Sequence, residues 1–231
     1  MNIELKYRDH VLAIWKKYQN LPFLNESNCE YRKSPLLPSE LTDNAILFIG
    51  INPAFKKGDT VADEYREIEF YLQNENHVEI NYFQRFKEIA DYCGERWTHI
   101  DMLFVRETDQ SQIDKLSYTT EGINFIQDQI EFAFQIIEES QPKLILVSNA
   151  FATELFGKKK AKHQVFDKIW KGYSLDFEKD FDAAIGTYTI EINGKPTPII
   201  FSGMLSGQRA LDNGSFERLK WQMKWILQKS K

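Results

Sequence analysis

Apolar residues recur along the chain in two alternating rhythms. Over 4–18, Tyr7, Val11, Ile14 and Trp15 fall at helical spacing and predict an amphipathic helix. The stretch 19–43 is rich in Pro, Asn and Ser, breaks that rhythm and reads as a loop. Residues 45–50 (AILFIG) are an unbroken apolar run closed by the turn signal Asn52-Pro53. Such a run suits a strand buried on both faces, as in a parallel sheet. Helical spacing returns over 61–73 and over 82–93, where Phe83, Phe86, Ile89 and Ala90 share a face. WTHIDMLFV at 97–105 predicts a second strand. Residues 122–139 predict a long helix with Ile123, Ile126, Ile130, Phe134 and Ile137 in register. KLILVS at 143–148 predicts a third strand, followed by a short helix at 149–156. Residues 157–183 are ambiguous, 184–202 read as a hairpin about Asn193-Gly194, and a last helix is expected over about 208–228.

Strands alternating with helices predict the α/β class, as a three-layer α/β/α sandwich around a central, mainly parallel four-stranded sheet. With 231 residues, no repeat and no linker, the expectation is a single domain over 1–231, in which 1–43 is an N-terminal helix and loop extension. Seventeen Phe, ten Tyr and five Trp are enough aromatics for a sizeable core. Two cysteines, Cys29 and Cys93, exclude a four-cysteine zinc site or a cysteine-held iron–sulfur cluster within one chain. That usage suits a reducing compartment. The first residues lack an apolar signal core, and no run approaches the roughly 18 apolar residues of a membrane helix. A cytoplasmic protein with no membrane contact is expected, and a monomer.

The net charge of −5 argues at first against a nucleic-acid binder. Its distribution changes the picture. Over 61–139, six Lys and Arg stand against eighteen Asp and Glu; over 140–231, fifteen stand against nine, a balance of +6. An acidic whole therefore leaves room for a basic face with a narrow, salt-sensitive footprint.

In open α/β sheets ligands bind beyond the carboxyl ends of the strands, so the residues after each apolar run are the candidates for chemistry. Gly50-Ile51-Asn52-Pro53-Ala54-Phe55 follows the first strand: a Gly lets the backbone approach a ligand, and Asn-Pro leaves an amide at the sheet edge. The bland alternative is an ordinary Asn-Pro turn. Phe201-Ser202-Gly203-Met204-Leu205-Ser206-Gly207-Gln208-Arg209 follows the last strand. It offers backbone N–H groups, hydroxyls and a guanidinium at what reads as a helix N-terminus, with a capped helix start at Ser206 or Gly207 as its alternative.

Together these segments resemble the uracil-DNA glycosylase superfamily. The first matches the Gly-Ile-Asn-Pro signature of its mismatch-specific and single-strand-selective branches. The second stands in the place of the family's His-Pro-Ser-Pro-Leu-Ser motif, with Leu205, Ser206 and Arg209 in register. Asp101-Met102-Leu103-Phe104-Val105-Arg106 parallels a family strand carrying Asn and then Arg five places on, and Asn81-Tyr82-Phe83 resembles a family helix start. The likeness covers about 44–156 and 196–226, with gaps.

The resemblance implies a uracil-DNA glycosylase-like fold and a DNA partner. It also implies hydrolysis of the N-glycosidic bond of a base flipped out of the duplex, without metal or other cofactor. Asn52 then positions the water. Gly50, Ile51, Pro53, Ala54, Phe55, Ser202, Gly203 and Met204 surround the base, with Tyr65 stacking on it or simply half-buried on a helix. Asp101 takes the place of a base-reading Asn. As an ionised carboxylate it only accepts hydrogen bonds, which suits a base with an exocyclic amine and disfavours uracil; the alternative is a structural Asp paired with His99 or Arg106. Phe201 replaces a His that stabilises the leaving base, a loss of roughly 3–4 kcal/mol that backbone N–H groups of Gly203, Met204 or Leu205 offset in part. Lys56, Lys158, Lys159, Lys160, Ser206, Gln208 and Arg209 are the candidates for the DNA backbone, along with Lys57, Lys162, Arg218, Lys220 and Lys224, or else they form a solvated surface. Met204 and Leu205 act as an apolar wedge or pack against the fold.

Two other functions stay open: a catalytically weak or inactive glycosylase-fold module that binds nucleic acid or a nucleobase, and a hydrolase of nucleosides or other N-glycosides. Fold likeness does not choose among them. No phosphate loop, dinucleotide fingerprint or Gly-x-Ser-x-Gly elbow is present. The four His, at 10, 77, 99 and 163, show no metal-ligand spacing, and His99 reads as a core or edge residue.

Overall fold

The first helix, α1 (Ile3–Lys17), begins where the Asn2 side chain accepts from Leu5 N–H, and it buries Ile3, Tyr7, Val11, Ile14 and Trp15 on one stripe. The computed structural model describes residues 1–55, 68–72, 81–156, 175, 179–207 and 209–230. Within 19–43, expected to be loop, the chain makes two single 3₁₀ turns at 22–25 and 30–33 and then a short strand, β1 (Leu36–Pro38).

The apolar runs become the central strands β2 (Ile46–Gly50), β4 (Trp97–Asp101) and β5 (Leu144–Ser148). Between the first two lies β3 (Glu69–Tyr71), which pairs in parallel with β1 in a separate two-stranded sheet. A helix over 61–73 is therefore corrected at its end: 69–71 are extended, and 61–67 lie outside the described residues. Among the described residues the further helices are α2 (Asn81–Cys93), α3 (Gln110–Leu116), α4 (Thr120–Ser140), α5 (Ala150–Phe156) and α6 (Asn213–Lys229). The hairpin forms as expected. Strands β7 (Thr187–Ile192) and β8 (Lys195–Ser202) join at Asn193 and Gly194, both at positive φ, the pairing that a tight two-residue turn demands. A short edge strand, β6 (Phe181–Asp182), precedes them.

Among the described residues the sheet has six strands rather than four, in the order β4-β2-β5-β8-β7-β6. Its first four are parallel, and β7 and then β6 follow at one edge, each pairing antiparallel with its neighbour. Period-2 alternation sorts the parallel strands between two layers. Leu47, Ile49, Ile100, Ile145, Val147 and Ile199 join the side chains of α1, α4 and α5. Ile46, Phe48, Leu144, Leu146 and Ile200 join those of α2 and α6. The mixed α/β class with helices on both faces is thus as expected. From β2 the chain runs to one side for β4 and to the other for β5, so the carboxyl ends of β2 and β5 flank a topological switch point. No helix among the described residues is long and apolar enough to cross a membrane.

Candidate active site

Four strand ends meet in one polar row. Gly50 pairs with Asp101 and Ser148 with Ser202, and the register of Ile49 against Val147 brings Gly50 level with Ser148. By alternation, all four lie on the α2/α6 side of the sheet. The row is closed at Gly50, where a Cβ would stand 2.1 Å from Asp101 Oδ1, 3.1 Å from the Tyr82 hydroxyl and 3.2 Å from His99 Nε2. Only Gly leaves room for the carboxyl.

Asp101 is nine-tenths buried, with Oδ1 3.6 Å from His99 Nε2. The His99 ring lies in an aromatic box. Tyr71 OH is 2.9 Å from Nδ1, Tyr82 OH is 3.3 Å from Nε2, and Phe86 stacks at 5.3 Å. Strand β3 therefore supplies Tyr71. Burial pushes the Asp101 carboxyl up to about 8 and the His99 imidazole down to about 3. Burial, and then the nearby Asp101, raises the Tyr82 hydroxyl too. Near neutral pH the trio is uncharged. Arg106 does not lock Asp101: its guanidinium bonds Glu69 of β3 instead. The expectation that Asp101 is an acceptor-only carboxylate is corrected. As a neutral acid it both donates and accepts, as an amide does.

Asn52 is half-buried just beyond β2. Its Nδ2 donates to the carbonyls of Glu107 at 2.6 Å and Pro53 at 3.1 Å, with Val105 O at 3.4 Å. Carbonyls only accept, so the nitrogen must face them, and Oδ1 is left pointing the other way as a fixed acceptor. The loop that supplies those carbonyls is itself pinned. Gln129 of α4 accepts from Phe104 N–H and Val105 N–H at 2.9 and 3.2 Å. Glu107 accepts from Arg32 Nε at 2.8 Å, both side chains being buried. Arg32 also reaches Phe23 O at 3.0 Å, and Trp15 Nε1 donates to Arg32 O at 2.9 Å. Tyr31 stacks on Phe55 at 4.1 Å and 6°. The segment 19–43 is therefore a brace for the Asn52 turn. Sequence reasoning missed Gln129, Arg32 and Glu107 because no spacing links residues so far apart in the chain.

The second segment departs further from expectation. Phe201 is level with Val147 and turned to the α4/α5 side, near Phe156 and Tyr188 at ring distances of 6.4 and 6.0 Å. It is not brought to the row of Asp101 and Gly50. Leu205 is 3 % exposed in the α2/α6 core, so the wedge reading fails for it, whereas Met204 is half-buried. The last helix starts at 213 rather than 208, and its cap is Asp212, which accepts from Ser215 N–H at 3.0 Å, not Ser206 or Gly207. A carboxylate already fills that N-terminus. Ser202 is half-buried with its hydroxyl on Gly203 O at 3.1 Å, Gly203 and Arg209 are exposed, and Ser206 is half-buried. Ile51 and Pro53 are buried and Ala54 is exposed. Lys220 is not free for phosphate, since it pairs with Glu88 and Glu217 at 2.8 and 2.7 Å. Tyr65, Lys56, Lys57, Lys158, Lys159, Lys160, Lys162 and Gln208 lie outside the described residues. Among the described residues no three His, Cys, Asp or Glu side chains stand together to hold a metal.

Comparison with known proteins finds no matching family model, no matching curated protein and no matching solved structure.

Proposed function

We propose that the protein hydrolyses the N-glycosidic bond of a base turned out of DNA, with Asn52 positioning the water and Asp101 reading the base edge. The observation that carries this reading is the Asn52 amide, whose nitrogen is consumed by the Glu107 and Pro53 carbonyls while Oδ1 stays presented. An acceptor fixed in this way orients one water hydrogen and aims a lone pair at the sugar carbon. As the C–N bond stretches, the sugar becomes oxocarbenium-like and the base departs with the bonding electrons; the water adds to the sugar carbon and releases a proton to solvent, and the base anion takes one up from solvent. Asn cannot take the water's proton at neutral pH, so the chemistry is slow. A neutral Asp101 donates to a base carbonyl and accepts from a ring N–H, which removes the repulsion that an ionised carboxylate brings to uracil or thymine.

The test is incubation with duplexes holding uracil, hypoxanthine, thymine opposite guanine, and alkylated bases. Abasic product is expected from at least one, falling roughly a hundredfold or more in Asn52→Ala and rising in Asn52→Asp. No product from any duplex, with protein and DNA at equal concentration, overturns the proposal. One observation favours a second reading, a module that binds a base without cutting: Phe201 is turned away, and among the described residues no imidazole stands in its place at the end of β8. Binding of the same duplexes with no turnover selects it.

A further inference from the structure

The outward face of α6 carries an aromatic and cationic stripe that the proposed site does not use. Trp221 and Trp225 are 57 % and 42 % exposed, and their rings stack on one another at 5.8 Å and 15°. Lys229 Nζ lies 4.8 Å from the Trp225 ring centre, and Lys224 Nζ lies 4.8 Å from the ring of Tyr92, itself 40 % exposed at the end of α2. Arg218 is exposed one turn before Trp221. From Arg218 to Lys229 the stripe runs roughly 16 Å along the helix.

A solvent-facing indole pair is costly to leave in water, and its neighbours decide what fits it. Three cations flank the two rings, so the complement is anionic. A second copy of this chain would bring those cations against themselves. A lipid surface calls for aliphatic side chains that enter the acyl region, and those of α6 are committed to the core under the sheet. What remains is a polyanion with flat faces of its own. We infer that the Arg218–Trp221–Trp225–Lys229 stripe, with Lys224 and Tyr92 beside it, binds single-stranded nucleic acid, two bases stacking on the indoles and the flanking phosphates pairing with the cations. Stacking of this kind tolerates any base, and the phosphate pairs make it salt-dependent. The stripe is a second contact, separate from Asn52 and Asp101: Tyr82 at the start of α2 faces His99, whereas Lys224 of the stripe packs on Tyr92 at the end of the same helix.

The test is anisotropy of a short labelled oligothymidylate with the full chain, repeated with an oligouridylate to compare DNA with RNA. Binding that weakens as salt rises is expected. Trp221→Ala and Trp225→Ala should each weaken it by roughly five- to a hundredfold. The Leu variants, which keep apolar bulk, should weaken it as well, because the stacking face is lost. Lys224→Gln with Lys229→Gln should flatten the salt slope by about one unit. Tyr118→Ala, which removes an exposed aromatic outside the stripe, should bind like the parent chain, and Trp-dependent binding in a chain that yields no abasic product separates this inference from the hydrolytic one. Absence of binding at low salt overturns it, and so does binding indifferent to both Trp substitutions. Trp-dependent capture by anionic vesicles, or Trp-dependent dimers in sedimentation, in a chain that ignores the oligonucleotides also overturns it.

Discussion

Gly50 and Asp101 are one unit at the residue scale. A methyl at Gly50 would occupy the space of Asp101 Oδ1, so Gly50→Ala is expected to cost about 1–3 kcal/mol in urea denaturation. Asp101→Ala in the same chain should return most of that, and additive losses would show that the two do not share the space. The carboxyl also gives stability a pH dependence. It ionises near 3.8 in the unfolded chain and at about 8 in the fold, so the fold holds the proton more tightly. The stabilisation is fully present below the lower value and drains away as pH rises to the upper one. His99 acts in the opposite sense: its folded value of about 3 lies below 6.5, so its contribution is present above 6.5 and lost as pH falls toward 3. Asp101→Asn should therefore gain in urea midpoint over the parent chain as pH rises from 3.8 to 8, and the proposed hydrolysis should decline above about pH 8 in the parent chain but not in Asp101→Asn.

The brace formed by 19–43 is the informative element. Its Arg32–Glu107 pair is buried, and Glu107→Ala leaves Arg32 with only the exposed Glu26 carboxylate as ionic partner, so a loss toward the lower end of about 3–5 kcal/mol is expected. Arg32→Met with Glu107→Leu should recover much of that stability but not the hydrolysis, because the Asn52 turn loses its anchor. Calorimetry and the abasic-site assay read the two effects separately. The same comparison marks where sequence patterns reach. Stretches that bury one stripe or both faces, such as α1, α4, β2 and β5, are legible because burial repeats at the period of the element. β3 and the two 3₁₀ turns are three or four residues long, too short to hold a period. Ser206-Gly207 and Asp212 are equally good local caps for α6, and the helix begins at the later one, after Leu205 and Leu211 have packed against the α2/α6 core.

For the whole molecule, the sheet order decides which segments become neighbours. It places Gly50, Asp101, Ser148 and Ser202 in one row, and it turns Phe201 away from that row by a single step of the pleat. Charge follows a similar division: the acidic excess lies in 61–139, and the exposed cations of α6 belong to the basic last third. Periodicity and turn chemistry are local, so the α/β class, the core strands, the hairpin turn and the candidate segments at the strand ends are all legible along the chain. The burial of Asp101 beside His99, which raises its carboxyl, the one free acceptor of Asn52 and the exposure of Trp221 and Trp225 come from how distant elements pack. Those properties depend on desolvation and on partners brought from distant parts of the chain, and no local spacing encodes them.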